Sequence, residues 1–180
     1  MKHIKKVPIL FLSLLVLTIL VNAIVVEKAT LEEITTESHL VVHGKILSKE
    51  SVWEGKQINT YLTLEVYDVA KGELSGNIIT VKQMGGTVGD ISAEVTGSPH
   101  FYEGDEVFFF LVDWKNNYWI HSIALGGYSV IEVAGEKYAV NGFNDIEIAE
   151  PLYKKQGEEL KGEYSLFDLF GKVQSLNAQE

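Results

Sequence analysis

The chain has 180 residues, 46% of them hydrophobic and 22% charged, which suits one folded domain and excludes an intrinsically disordered one. Its net charge is −10, with no arginine anywhere, so it opposes both a phosphate-neutralising face for nucleic acid and attraction to an anionic membrane. Cysteine is absent, which rules out disulfides, a thiol nucleophile, thiolate metal sites and a cysteine-linked lipid anchor.

Met1-Lys-His-Ile-Lys-Lys6 is a basic start, and Val7 to Val21 is an apolar stretch broken only by Pro8, Ser13 and Thr18. Val21-Asn22-Ala23 then offers small or medium residues where a signal peptidase reads. Residues 1–23 are read as a signal peptide cleaved after Ala23, which gives a secreted or periplasmic protein with no membrane attachment. The other reading is an uncleaved anchor, lengthened by Ile24, Val25 and Val26. A run of about 15 apolar residues is short for that, since a bilayer core takes about 20. Without the leader lysines the charge is about −13.

Residues 24–150 read as a β domain. Thr30-Leu-Glu-Glu33 is a capping-box pattern opening a short helix to Ser38. From Leu40 to Trp53 the chain alternates like a strand, with Leu40, Val42, Gly44 and Ile46 on one face and Val41, His43, Lys45 and Leu47 on the other. Glu54-Gly55-Lys56 predicts a hairpin turn. The run Gln57 to Ala70 alternates again, with Ile58, Thr60, Leu62, Leu64 and Val66 on its apolar face.

Asn77 to Met84 is the next strand. A glycine-rich turn at 85–90 and a weak strand at 91–96 follow. Val107-Phe-Phe-Phe-Leu-Val112 is apolar without alternation, as a strand buried on both faces requires. Turns at Asn116-Asn117, Gly126-Gly127, Gly135-Glu136 and Asn141-Gly142 separate the remaining strands, 118–125, 128–134 and 137–140. Seven or eight short strands at this spacing predict a mainly β fold, a small barrel or sandwich. Residues 151–180 read as a polar linker and a C-terminal amphipathic helix. That helix has a cap signature at Ser165 and Leu166, Leu169, Phe170 and Val173 on one face, and either docks on the sheet or serves as a hook for a partner.

Chemistry-bearing motifs are sparse. His39 and His43 are close enough in one strand to share a face, yet no third ligand is placed beside them. The 85–90 loop lacks the lysine and following helix of a phosphate cradle, and Asp90 with Glu94 matches no calcium loop. No catalytic, cofactor or metal residue is assigned. Aromatic residues are the remaining signal. Trp53, Tyr61, Tyr67, Trp114, Tyr118 and Trp119 fall at strand ends or on polar faces, where rings either stack on sugars, peptides or bases or complete cross-strand pairs. Trp53, Tyr61, Tyr67, Trp114 and Trp119 are the candidate ligand-contacting residues.

Ser38-His-Leu-Val-Val-His-Gly-Lys-Ile46 followed by Tyr61-Leu-Thr-Leu-Glu-Val-Tyr-Asp-Val-Ala-Lys-Gly72 resembles a domain of uncharacterised exported bacterial proteins. Gln83-Met-Gly-Gly86, Gly97-Ser-Pro-His-Phe101, Gly104-Asp-Glu-Val-Phe108 and the Tyr164 to Leu176 tail extend the likeness over about residues 30–176. That group in turn is similar to the OB-like barrel of tissue inhibitors of metalloproteinases and netrin-like modules. The resemblance implies an OB-like antiparallel β-barrel with a short N-terminal helix and a C-terminal helix. Inhibitors of that family reach the protease zinc through an N-terminal cysteine, which is missing here, so that mechanism does not carry over. The expected function is an exported, non-catalytic binding module for a protein or other extracytoplasmic ligand. A protease-associated inhibitor-like or chaperone-like domain, acting through a strand edge or the N-terminal segment, is the alternative; an enzyme is the third reading.

Overall fold

A computed structural model describes residues 26–95, 97–123, 125–141, 148–149 and 157–179. The leader and its cleavage site lie outside these residues, as does Gly142 of the last expected turn.

Val26–Glu27 (β1) pairs in parallel with Ile148–Ala149 (β11). Helix α1, Leu31–Glu37, starts as its sequence dictates: Thr30 Oγ1 accepts the Glu33 N–H at 3.1 Å, and the Glu33 carboxylate accepts the Thr30 N–H at 2.9 Å. Leu40–Glu54 (β2) and Gln57–Lys71 (β3) form a long hairpin through Gly55-Lys56. Gly55 has φ +63°, which a two-residue hairpin turn demands. Ile78–Met84 (β4) adds antiparallel to β3.

The expected single strand at 91–96 is instead one arm of a small separate hairpin, Gly86–Val88 (β5) with Ile91–Ala93 (β6). It forms because part of the glycine run is itself extended. Glu106–Trp114 (β7) follows, and all five residues from Val107 to Leu111 are fully buried.

Asn117–Ile120 (β8) is shorter than expected. Its turn uses Lys115 and Asn116 (φ 54° and 59°), one residue earlier than the Asn-Asn pair suggests. The strand ends because Ser122 and Ile123 take left-handed conformations and the Gly126 N–H returns to the His121 carbonyl at 3.0 Å. That fold-back delivers Gly127–Val133 (β9) to the same edge of β7. β8 therefore pairs with Leu111 to Trp114, and β9 with Val107 to Phe109. A turn at Ala134-Gly135 leads to Glu136–Val140 (β10), which Glu163–Ser165 (β12) extends.

The eight-stranded sheet runs β12-β10-β9-β7-β2-β3-β4-β8, and the β7–β8 pairing brings its far end back as a partial ring. Closure on the β4 side is only a two-residue parallel ladder, Val81↔Tyr118 and Lys82↔Trp119. Two cores use the two faces. Leu40, Val42, Leu62, Leu64, Val81, Phe109 and Leu111 belong to the core on the ring's face. Val41, Phe108, Phe110, Tyr128 and Ala139 belong to the other, which α1 and the terminal helix α2, Leu166–Asn177, cover with Leu31, Ile34, Leu169 and Val173. The unbroken apolar run of β7 follows from this: odd residues feed one core and even residues the other.

The terminal helix thus docks rather than hangs free. Ser165 occupies its cap position but makes no side-chain cap bond, contrary to its sequence signature. The polar stretch before it is described from Gly157, and Leu160 and Tyr164 there are buried in the helix-side core.

Candidate ligand-binding face

The register of β3, β4 and β8 decides which candidate aromatics meet. Tyr61 lies opposite Lys82, and Lys82 lies opposite Trp119, so all three share the face turned away from the ring's core. Trp114 ends β7 opposite Asn117 and joins the same surface.

The Trp114 and Trp119 rings meet edge to face, with centroids 5.8 Å apart at 68°. Lys82 Nζ lies 5.2 Å from the ring centres of both Tyr61 and Trp119, a cation held between two aromatic faces. Lys82 and Tyr61 both donate to the Glu54 carboxylate, which also accepts from Asn59 Nδ2 at 2.8 Å. The Lys82 and Tyr61 hydrogen bonds hold the Glu54 carboxyl below its ordinary value. Burial works against the Lys82 charge, but the Glu54 and Tyr61 hydrogen bonds outweigh it and raise its pKa. Lys115 adds a second cation, 4.2 Å from the centre of the Trp114 ring.

Two buried polar atoms here, Asn59 Oδ1 and Trp119 Nε1, have no hydrogen-bond partner among the described residues. Such atoms cost about 1–3 kcal/mol each unless something supplies the missing bond. Trp114 is 55% exposed, whereas Lys82 is only 9% exposed. The face is therefore an open indole shelf beside a rigid polar cluster. Chemically it can stack on a flat or ring-shaped group and offer it hydrogen bonds.

The other candidate aromatics are elsewhere. Trp53, near the end of β2, is exposed and pairs in register with Ile58. Tyr67 sits edge to face with His43, 5.6 Å away. Tyr118 packs at the margin of the ring's core. Alternation along β3 already puts Asn59 on the face of Tyr61, but Lys82 and Glu54 escaped the sequence reading, because only strand register reveals that they lie beside Tyr61 and Trp119.

The histidines remain apart in role. His39 Nδ1 accepts the Asp113 N–H at 3.3 Å, His121 contacts Glu37 at 3.0 Å, and His100 is exposed. His43 bridges Asp68 and Glu106 at 3.2 and 2.6 Å. Among the described residues no three His, Asp or Glu side chains are grouped to hold a metal ion, and no helix is long and apolar enough to cross a membrane. A cavity of about 460 Å³ lies beside the β5–β6 hairpin. Its walls are largely self-bonded: Ser51 to Thr60 at 2.8 Å, Thr60 to the Gly85 carbonyl at 2.7 Å, and Gln83 to Ser98 at 2.6 Å.

No known protein family matches the chain, and no curated protein matches it in sequence.

Proposed function

We propose that this chain is an exported, non-catalytic binding module built on an OB-like barrel, and that the Trp114–Trp119–Tyr61 face with Lys82 is its ligand site. The supporting observation is positional. The circuit β2-β3-β4-β8-β7 has five strands, as an OB barrel does, and in such barrels the second and third strands, with the loops after the first and fourth, hold oligonucleotides or oligosaccharides. Here those elements are β3, β4, the Gly55-Lys56 turn and the Lys115-Asn116 turn. Tyr61 and Lys82 stand on the two strands, Glu54 flanks the first turn, and Trp114 flanks the second. The acidic charge disfavours nucleic acid, which leaves saccharide rings or peptide groups as the stacking partner. The distant kinship with netrin-like modules belongs to this reading. The alternative use of the N-terminal segment is less favoured, because Val26 and Glu27 already pair with β11.

The test is a fluorescence and NMR titration of exported protein with hexasaccharides of glucose and of N-acetylglucosamine, and with extended oligopeptides. One class is expected to quench tryptophan emission and shift the Trp114 and Trp119 indole signals, and Trp114→Ala should weaken it about tenfold, since stacking contributes about 1–3 kcal/mol. Binding that survives Trp114→Ala undiminished, or that leaves both indoles unmoved, would remove the assignment. Intact-mass analysis of the same material tests export, with Ile24 expected as the first residue.

A further inference from the structure

Helix α2 does not cover the whole sheet face beneath it. Phe170 reaches Phe108, with ring centroids 6.4 Å apart, and beyond that rung the sheet turns polar at His43, Asp68 and Lys137. The result is a cleft of about 560 Å³ with two unlike walls. One is the start of α2, where Leu166, Phe167 and Phe170 present apolar surface; Phe167 is 86% exposed, the most open large hydrophobic side chain described. The other is a row of charged side chains on β2, β3 and β10.

The lysine and the histidine of that row are committed. Lys137 Nζ and His43 Nε2 both contact Glu106 Oε1 at 2.6 Å. Burial pushes against the Glu106 charge, yet Lys137 and His43 together hold its carboxyl below the ordinary value. The remaining carboxylates are not saturated. Among the described residues, Asp68 is engaged only through Oδ2, by His43, and its side chain is 59% exposed; Glu136 is engaged through Oε2 by the Tyr138 hydroxyl at 2.9 Å. Glu132, opposite Lys137 on β9, adds more negative charge to the same rim. The positive end of the α2 dipole has its own counter-charge in Asp168.

We infer that this cleft is a second binding site, which docks a partner polypeptide by a lysine or arginine side chain next to an apolar one: the cation against Asp68 and Glu136, the apolar group against Phe167. Charge complementarity selects this occupant. The rim has spare carboxylate oxygens, and Lys137, the one lysine lining the cleft among the described residues, is already paired with Glu106; the net charge of −10 draws basic segments toward the molecule. The apolar wall demands more than a bare amine. The site is rigid before binding, since His43 and Glu106 tie β2 to β3, β7 and β10.

The experiment is an NMR titration of the ¹⁵N-labelled folded chain with acetyl-Phe-Lys-amide. Saturable shifts are expected at His43, Asp68, Glu136 and Phe167. Asp68→Asn and Phe167→Ser should each weaken binding about tenfold while melting as the parent does, since Asn keeps a side-chain oxygen for the His43 contact and Phe167 is exposed. Acetyl-Phe-Glu-amide and spermidine should bind at least about tenfold more weakly. The inference is overturned if acetyl-Phe-Lys-amide gives no saturable shift at these residues, if either control binds equally well, or if either variant binds as the parent. Shifts at the Trp114 and Trp119 indoles instead would assign the peptide to the aromatic face and likewise overturn it.

Discussion

Gly44 offers the sharpest test of the sheet's internal geometry. It lies in β2 at a register shift between His43 and Gly44, facing Val66 on β3 and Val107 on β7. A Cβ placed there would collide with the backbone carbonyl oxygen of Glu65, with the Glu65 carbonyl carbon and Val66 Cα both at 3.1 Å. These are main-chain atoms held by ladders on both sides, so no rotamer change relieves the clash. Overpacking of this kind costs about 1–3 kcal/mol, and an obstacle made of backbone puts Gly44→Ala at the upper end. For a domain of this size each kcal/mol lowers Tm by about 2–4 °C, so the expected fall is about 6–12 °C. Gly55→Ala is the control. Gly55 has φ +63° with nothing within 4 Å of a new Cβ, so it carries only the left-handed backbone cost, about 1–2 kcal/mol. Thermal melts by circular dichroism give the two shifts, and amide exchange locates them. Gly44→Ala should speed exchange at Leu64 and Val66, whereas Gly55→Ala should not. A Gly44→Ala protein that melts within 2 °C of the parent (roughly 1 kcal/mol or less) would refute the close approach.

Phe109→Asp should abolish folding. It puts a carboxylate at a fully buried position against Phe101, whose ring centroid lies 4.8 Å away, and the desolvation cost rivals the whole stability of about 5–15 kcal/mol. Soluble mutant protein with a cooperative melt would contradict this. At the alkaline end, burial pushes the Tyr164 phenol from 10.0 up to about 12 and raises Tyr128 as well. The fold thus favours the protonated rings: their contribution is complete below pH 10 and drains away as pH rises toward 12. Tyr164→Phe should move the alkaline unfolding midpoint upward, and a fold unchanged past pH 12 in the parent would refute the argument.

Much of the architecture was readable because it rests on local patterns. The Thr30–Glu33 box fixes α1, the alternation of β3 fixes its buried face, and the uninterrupted apolar run of β7 announces burial on both sides. What could not be read depends on pairing. Nothing between Ile120 and Gly126 marks where β8 yields to β9, since that exchange rests on positive φ at Ser122 and Ile123, neither of which is a glycine. The aromatic face has the same origin. Trp114, Trp119 and Tyr61 were visible as candidates, but their union around Lys82 needs the β4–β8 ladder, which joins segments nearly forty positions apart. Trp53 and Tyr67, alike in sequence context, fall elsewhere for want of such a ladder.

β7 is a wall common to two rooms. Its odd side chains furnish one interior and its even side chains the other, so no boundary exists along which half the molecule could melt while the other half stands. Heat should therefore meet a single cooperative unit, and a calorimetric trace with two resolved peaks would mean that the wall is not shared.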